Sequence, residues 1–387
     1  MNKKQKKRKQ AVCFFGTYES TFPRTITLKT ACRRLNIKAI ECHLPFWEKT
    51  REKMEFFTPK SLLQVVFQLV LIYIRLATRY LFAVEDHDVV IVGYNGYFDM
   101  PLAKFLARIR RKPVIFTPVF PLYETLVEDR KYINKFSFKS KVIHLIDEIS
   151  CRLADLIIIE TRTYLDYYCR EFNITPEKFC KIPLGADESN FFPRQTRVIK
   201  NNSNHLNILF YGKFIPLQGI AYIIKAAKIL EKNKEISFEI IGSGQLSEEI
   251  NNLAQKLRLQ NVSFIEWADY QRLPYHIQKA DICLGIFGNT HKARRGIPIK
   301  VYESLAMKKP VITGDSPAAR EVFQPNVNAV LCPMANPEAL AESILLLKKD
   351  EELRWKIAVA GFSLYHNLFS SSAIAEEFKK ALAKLSR

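Results

Sequence analysis

One pattern occurs twice in this chain, far apart, and that repetition limits the folds open to it. Residues 11–18 (AVCFFGTY) and 207–214 (NILFYGKF) each read as an apolar strand entering a glycine turn and then a helix. Further strand-like runs follow each opening: 38–42, 88–93, 113–118, 156–160 and 179–184, then 237–241, 262–265, 282–285, 311–313 and 329–332. Helical patterns lie between them. Strands alternating with helices imply parallel sheets joined by right-handed crossovers. A chain of 387 residues has room for two such units, each with its own core. The expected parts are a basic leader at 1–10, a first unit at 11–195, a second at 206–367 and a last segment at 368–387. The polar, Asn-rich stretch 193–205 reads as the hinge between the units.

Residues 297–321 (IPIKVYESLAMKKPVITGDSPAARE) carry the most chemistry. They read as a helix, a tight turn, a buried strand, a polar loop and the start of a second helix. Pro298 suits the first turn of the leading helix, and Lys300 and Glu303, three apart, share one face of it. The segment Gly314-Asp315-Ser316-Pro317 reads as a turn and the N-cap of the following helix. A carboxylate, an ammonium and two helix starts thus meet at the carboxyl end of a parallel strand, where open α/β sheets bind phosphorylated ligands. A nucleoside diphosphate fits: Glu303 accepts from ribose hydroxyls, while Lys300 and free N–H groups meet phosphate. Gly212 and the pair Gly242 and Gly244 each follow a strand of the second unit, and a glycine there lets backbone approach a nucleotide.

The run K-x-x-E-x-L-A followed by K-P-V-I-T, together with Tyr211-Gly212-Lys213, Ile241-Gly242-Ser243-Gly244 and residues 182–187 (IPLGAD), resembles the family-4 retaining glycosyltransferases. The resemblance covers most of the chain. It implies the GT-B fold, an α/β plan of two Rossmann-like doubly wound domains facing across a cleft. The first domain would hold the acceptor and the second a nucleotide sugar, with the last segment crossing back to pack on the first. The implied activity is transfer of a sugar from a UDP or GDP donor to a glycan or lipid-linked acceptor, with retention, in surface polysaccharide or glycolipid synthesis. The leaving diphosphate would itself take the acceptor proton, so no enzyme nucleophile is needed; no metal and no cofactor beyond the donor is expected. Family members place an Arg after the first glycine and a Lys before the second, both facing the diphosphate; here these are Lys213 and Gln218. Arg294 or Arg295 is expected to supply the missing cation, although a basic loop can equally face solvent. A glutamate that many relatives carry eight residues before Glu303 is Arg295 here, which leaves the donor-sugar contact and full activity open.

In the first unit, Gly16-Thr17-Tyr18-Glu19 reads as the glycine loop facing the cleft. Glu124, Asp129 and Arg130 lie in an otherwise apolar stretch, either holding acceptor or sugar or forming a salt-bridged helix start. The catalytic candidates are Lys300, Arg295 and Asp129. The donor-binding candidates are Gly16, Gly212, Lys213, Gln218, Gly242, Gly244, Arg294, Lys300 and Glu303. His144 lies on an apolar helical pattern and reads as a core histidine.

A net charge of +20 raises the question of an anionic partner, and six of the positives lie in residues 1–10. Residues 11–15 are too short for a signal-peptide core, so a cytoplasmic protein is expected. The leader reads either as a solvated arm or as a contact with anionic lipid. Residues 61–82 form a helical pattern whose polar residues Gln64, Gln68, Arg75 and Arg79 occupy one narrow stripe. It reads as a core helix, or as one lying in the membrane interface so that the enzyme sits peripherally at the inner face of the cell membrane. The eight cysteines are scattered without a C-x-x-C pair, as expected of reduced thiols, and the seven histidines show no metal-ligand spacing. Two rivals stay in view. A nucleotide-sugar epimerase would need an acid and a base flanking the sugar. A basic nucleic-acid-binding protein would need basic residues interleaved with stacking aromatics, and no such pattern appears.

Overall fold

The computed structural model describes residues 9–46, 59–193 and 205–385, with the backbone alone over residues 59–65. Most of the leader and the 193–205 linker lie outside these residues. The first unit holds β1 (Ala11–Gly16), β2 (Lys38–His43), β3 (Val89–Val92), β4 (Val114–Phe116), β5 (Leu156–Ile159) and β6 (Phe179–Lys181). All pair in parallel, in the order β2-β1-β3-β4-β5-β6. The register is shared around β1, where Val12 faces both Ala39 and Val89. Every residue of β1, β3, β4 and β5 is buried, because helices cover both faces of the sheet.

One face carries α1 (Pro23–Arg34). The other carries α2 (Pro59–Phe82), α3 (Met100–Ile109), α4 (Phe138–Leu153) and α5 (Arg162–Phe172) side by side over one core. Helix α2 has one buried and one exposed face. Leu76 and Tyr80 are buried in that core, whereas Phe67, Val70 and Ile74 face outwards and are exposed. A π-helical turn, Glu124–Asp129, leads from β4 towards α4 where a helix start was expected. His144 is half-buried rather than sealed in the core: its Nε2 lies 3.0 Å from Glu171 Oε1, between the rings of Tyr123 and Phe172.

The second unit repeats the plan with β7 (Leu206–Tyr211), β8 (Ile236–Ile241), β9 (Val262–Ile265), β10 (Ile282–Leu284), β11 (Val311–Gly314) and β12 (Val330–Cys332). Their order is β12-β11-β10-β7-β8-β9, again all parallel. Its helices are α6 (Ile220–Leu230), α7 (Ser247–Lys256), α8 (Leu273–Lys279), α9 (Ile299–Ala306), α10 (Pro317–Arg320), α11 (Pro337–Lys349) and α12 (Glu351–Leu364). Ser316 caps α10, its Oγ accepting from the Ala319 N–H at 3.1 Å. After a second π-helical turn the chain returns to the first unit as α13 (Ser371–Leu385). There Ile374, Phe378 and Leu382 share a core with Val12, Phe14 and Leu28. All eight cysteines are free thiols.

Candidate functional site

In each sheet the order of strands reverses once, between β1 and β3 in the first and between β7 and β10 in the second. Such a switch point opens a crevice at the carboxyl ends of the strands, and both glycine turns named above lie in one. Gly212 follows β7 with φ +145°, and Gly16 ends β1 with φ +117°, so both need a residue without Cβ.

The crevice of the second unit converges on an ammonium. A Cβ on Gly212 would lie 2.9 Å from Lys300 Nζ. That nitrogen donates to Gln218 Oε1 at 2.6 Å and sits 3.7 Å from the centre of the Phe210 ring. Burial pushes the Lys300 pKa well below the ordinary lysine range, with Glu303 opposing the shift. One turn along α9, Glu303 is also buried and accepts from the Tyr211 hydroxyl at 2.8 Å. Burial pushes its pKa up to about 7, against hydrogen bonds from Tyr211 and Tyr270 and the charge of Lys300. Lys213 is exposed beside Gly212. Gly242 and Gly244 make room for protein backbone: a Cβ on Gly242 would stand 1.9 Å from the Gly212 carbonyl oxygen, and one on Gly244 would stand 3.0 Å from the Phe214 nitrogen. The two glycine loops are zipped by Gly212 N–H to Ile241 O and Phe214 N–H to Ser243 O, at 2.9 and 3.0 Å.

The crevice of the first unit is filled by a carboxylate instead. Asp99, fully buried, accepts from the Thr17 N–H at 2.7 Å and from the Thr17 hydroxyl at 2.9 Å. A Cβ on Gly16 would lie 2.3 Å from its Oδ2. Burial pushes the Asp99 pKa up to about 6, with the Thr17 hydrogen bonds opposing. Backbone that would otherwise face an anionic ligand is thereby satisfied from within.

Between the units lies a third group of charges. Arg295 forms an ion pair with the fully buried Glu124, and its guanidinium stacks 3.8 Å from the Tyr167 ring centre. Thr161 donates to the Arg295 carbonyl at 2.6 Å, and Lys292 donates to Thr125 Oγ1 at 2.7 Å. Asp129 is buried at the end of the π-helical turn, 3.7 Å from Arg130 Nε. Burial raises the pKa of Asp129 and of Glu124, and the Lys292 charge opposes both shifts. Glu321 caps α5 of the first unit, accepting from the N–H groups of Arg162 and Thr163 at 2.7 Å each. Arg294 is exposed and bonds Asn289 Oδ1 at 2.7 Å. Lys300, Gln218, Gly212 and Glu303 are thus brought together, Gly16 is paired with Asp99, and Arg295 and Asp129 belong to the contact between the units.

Residues 192–362 match the family model described as Glycosyl transferases group 1. The second unit is a group 1 glycosyltransferase domain. An uncharacterized glycosyltransferase of Methanocaldococcus jannaschii is 27% identical over 157 residues, 41% of this chain and 42% of the relative. The amylovoran biosynthesis glycosyltransferase of Erwinia amylovora is 25% identical over 149 residues, 38% of this chain and 37% of that one. The chain spans about half or less of the length of the first curated relatives it matches, 42%, 51% and 40%. A crystal structure of Anabaena HepE in complex with UDP superposes with a TM-score of 0.70 at 15% identity, covering 97% of this chain and all of that one. The overall plan is accordingly GT-B.

Asp99, and the reach of Lys292 and Glu321 to the first unit, carry structural weight that sequence reasoning missed. Asp99 directly precedes Met100-Pro101, which in sequence reads as a helix cap; its side chain makes no cap bond and turns back to Thr17. Glu321 and Lys292 of the group 1 domain bond groups of the first unit, and no local spacing signals such pairing.

Proposed function

We propose that the protein transfers a sugar from a nucleoside-diphosphate donor, UDP or GDP, to a glycan or lipid-linked acceptor in surface polysaccharide or glycolipid synthesis. The observation that carries this reading is the convergence of Gly212, Gln218 and the buried Lys300 ammonium at one switch point, while Asp99 fills the other. A diphosphate entering the second crevice would restore to Lys300 the charge that burial disfavours, and Glu303 would accept from the ribose hydroxyls. Binding of UDP by HepE, a protein of the same fold, supports the donor class.

In this reading the bond from the anomeric carbon to the diphosphate breaks as the acceptor oxygen attacks from the same face, giving retention. The acceptor proton passes to the departing diphosphate, whose growing charge Lys300 stabilises. No metal takes part. The protein works in the cytoplasm, peripherally at the membrane, with residues 1–10 and the 61–82 helix meeting anionic lipid; among the described residues no helix is long and apolar enough to cross a membrane. Arg295 favours a second reading, since this position offers a sugar no carboxylate and its guanidinium is already engaged by Glu124, as expected of an altered or inactive relative.

Calorimetric titration with UDP, GDP, ADP and CMP, without added metal and again with EDTA, separates the two. Selective binding of UDP or GDP, unaffected by EDTA and lost in Glu303→Ala, supports the transferase. No binding by any nucleotide overturns the donor site and leaves the altered relative.

A further inference from the structure

The helices that cover the first sheet are amphipathic in an unusual way: their outward faces are also apolar. On α4 the exposed residues Phe138, Val142, Leu145 and Ile149 fall at i, i+4, i+7 and i+11, a single stripe. The opposite stripe, with Ile143, Asp147 and Cys151, is buried in the unit. Phe136, just ahead of the helix, is 90% exposed, and Phe138 is 80% exposed. On α3, Phe105 and Ile109 form a second outward stripe at i, i+4, and on α2, Phe67, Val70 and Ile74 form a third. Helix α3 packs between α2 and α4, so the three stripes lie on one outer surface. Large aliphatic and aromatic groups grouped in this way mark a contact surface, whereas scattered ones would not.

The charges among these stripes are mostly positive. Helices α2 and α3 contain no Asp or Glu. Residues 130–146 hold five Lys or Arg and no acidic residue. Lys104 and Arg108 run beside Phe105 and Ile109, lining with Arg111 a depression of about 480 Å³; Asp155 pairs with Lys104 there, and Arg108 and Arg111 are exposed. An apolar face edged mainly by cations, with Glu148 and Asp155 each paired to one, complements an interface where acyl chains lie beneath anionic headgroups. A protein partner of the same complementarity would have to present carboxylates around an apolar patch, and a second copy of this chain presents more cations.

We propose that the outward faces of α2, α3 and α4, with Phe136, form one docking surface for an anionic membrane. It extends the reading that α2 meets lipid and moves the weight of the contact to α4. The segment 130–138 follows directly on the Glu124–Asp129 turn, so docking brings the contact between the two units close to the bilayer. A lipid-linked acceptor would then reach the catalytic cleft without leaving the membrane.

The full chain is sedimented with vesicles of phosphatidylcholine alone and with 30% phosphatidylglycerol, beside two variants. One is Phe136→Ser/Phe138→Ser/Leu145→Ser and the other Phe67→Ser/Ile74→Ser; each is checked for unchanged melting and for monodispersity by ultracentrifugation. The parent should bind only the anionic vesicles, and the α4 variant should lose at least tenfold in partitioning. Parental binding by the α4 variant, with loss only in the α2 variant, overturns the extended surface and leaves the α2 reading standing. No vesicle binding by the parent overturns both. A parental dimer broken by the α4 variant, without vesicle binding, assigns the face to a second copy and overturns the proposal. Nucleotide titration of the same samples reports on the donor site independently.

Discussion

The crevice after β1 and the crevice after β7 start from the same strand, the same kind of glycine turn and the same reversal of strand order. In the first, the side chain nearest the glycine is the Asp99 carboxylate; in the second it is the Lys300 ammonium. Turned backbone at such a point presents N–H groups and attracts anions whatever the unit does. A carboxylate supplied from within satisfies that demand and closes the crevice to phosphate. An ammonium held over Phe210 and bonded to Gln218 does the reverse, because these contacts relieve its desolvation only in part until an anion arrives. On the proposed reading, one buried side chain in each unit thus decides which crevice of a fold repeated twice takes the diphosphate.

The largest effect expected from breaking this contrast is at Lys300. Lys300→Met should lower turnover on the correct donor by about 100-fold or more, the scale for losing a preorganised charge at a developing anion. Stability should hold or rise, since a buried cation gives way to an apolar chain of similar size. Activity assays beside a denaturant titration check both halves. Full activity in the variant would place the diphosphate elsewhere.

At the other crevice the loss should be of stability and not of binding. Asp99→Ala leaves the Thr17 N–H and hydroxyl without their buried acceptor, at a cost of about 2–3 kcal/mol in unfolding free energy. Asp99→Asn keeps one acceptor and should recover much of it. Nucleotide affinity should stay within twofold of the parent in both, by calorimetry. A large fall in affinity would show that the first crevice takes part in donor binding after all.

The two crevices were not equally legible in the sequence. Apolar runs and glycines located both turns, and the i, i+3 spacing of Lys300 and Glu303 put them on one helix face because helical geometry is local. That Gln218 meets Lys300 across 82 residues was open to argument only through the resemblance. Asp99 was invisible, because an Asp before Met-Pro looks like a cap and its true partner lies 82 residues away. The basic run 291–295 shows the same limit. Charge composition allowed a solvated loop or a phosphate contact, and folding instead directed Lys292 and Arg295 to the first unit while leaving Arg294 outside. Gly242 was legible as a glycine that something must approach, but what approaches it is the Gly212 carbonyl.

Acidity offers a smaller and more selective test of the second crevice. Binding needs Glu303 ionised to accept from ribose and Lys300 protonated to meet phosphate. Glu303 titrates near 7 and Lys300 below the ordinary lysine range, so affinity should form a bell. On the acid limb affinity should fall roughly tenfold between about pH 7.5 and about pH 6, as a group of pKa near 7 is protonated. Glu303→Gln should flatten that limb and leave the alkaline one, which calorimetry across pH would show. A parental profile flat from pH 6 to pH 9 would separate both groups from the ligand.

The residue after each glycine gives the finest contrast. Thr17 is held by Asp99, whereas Lys213, at the corresponding place, is exposed. Lys213→Thr makes the second loop resemble the first while leaving Lys300, Gln218 and Glu303 in place. An exposed cation acts through screened solvent, so affinity should drop by only about threefold at low salt, and the difference should vanish near 1 M salt. Lys300→Met should keep most of its effect at that ionic strength, since its charge is buried. If the two variants shared one salt dependence, burial of Lys300 would not be what distinguishes the binding crevice, and the summed positive charge of the group 1 domain would explain nucleotide capture better.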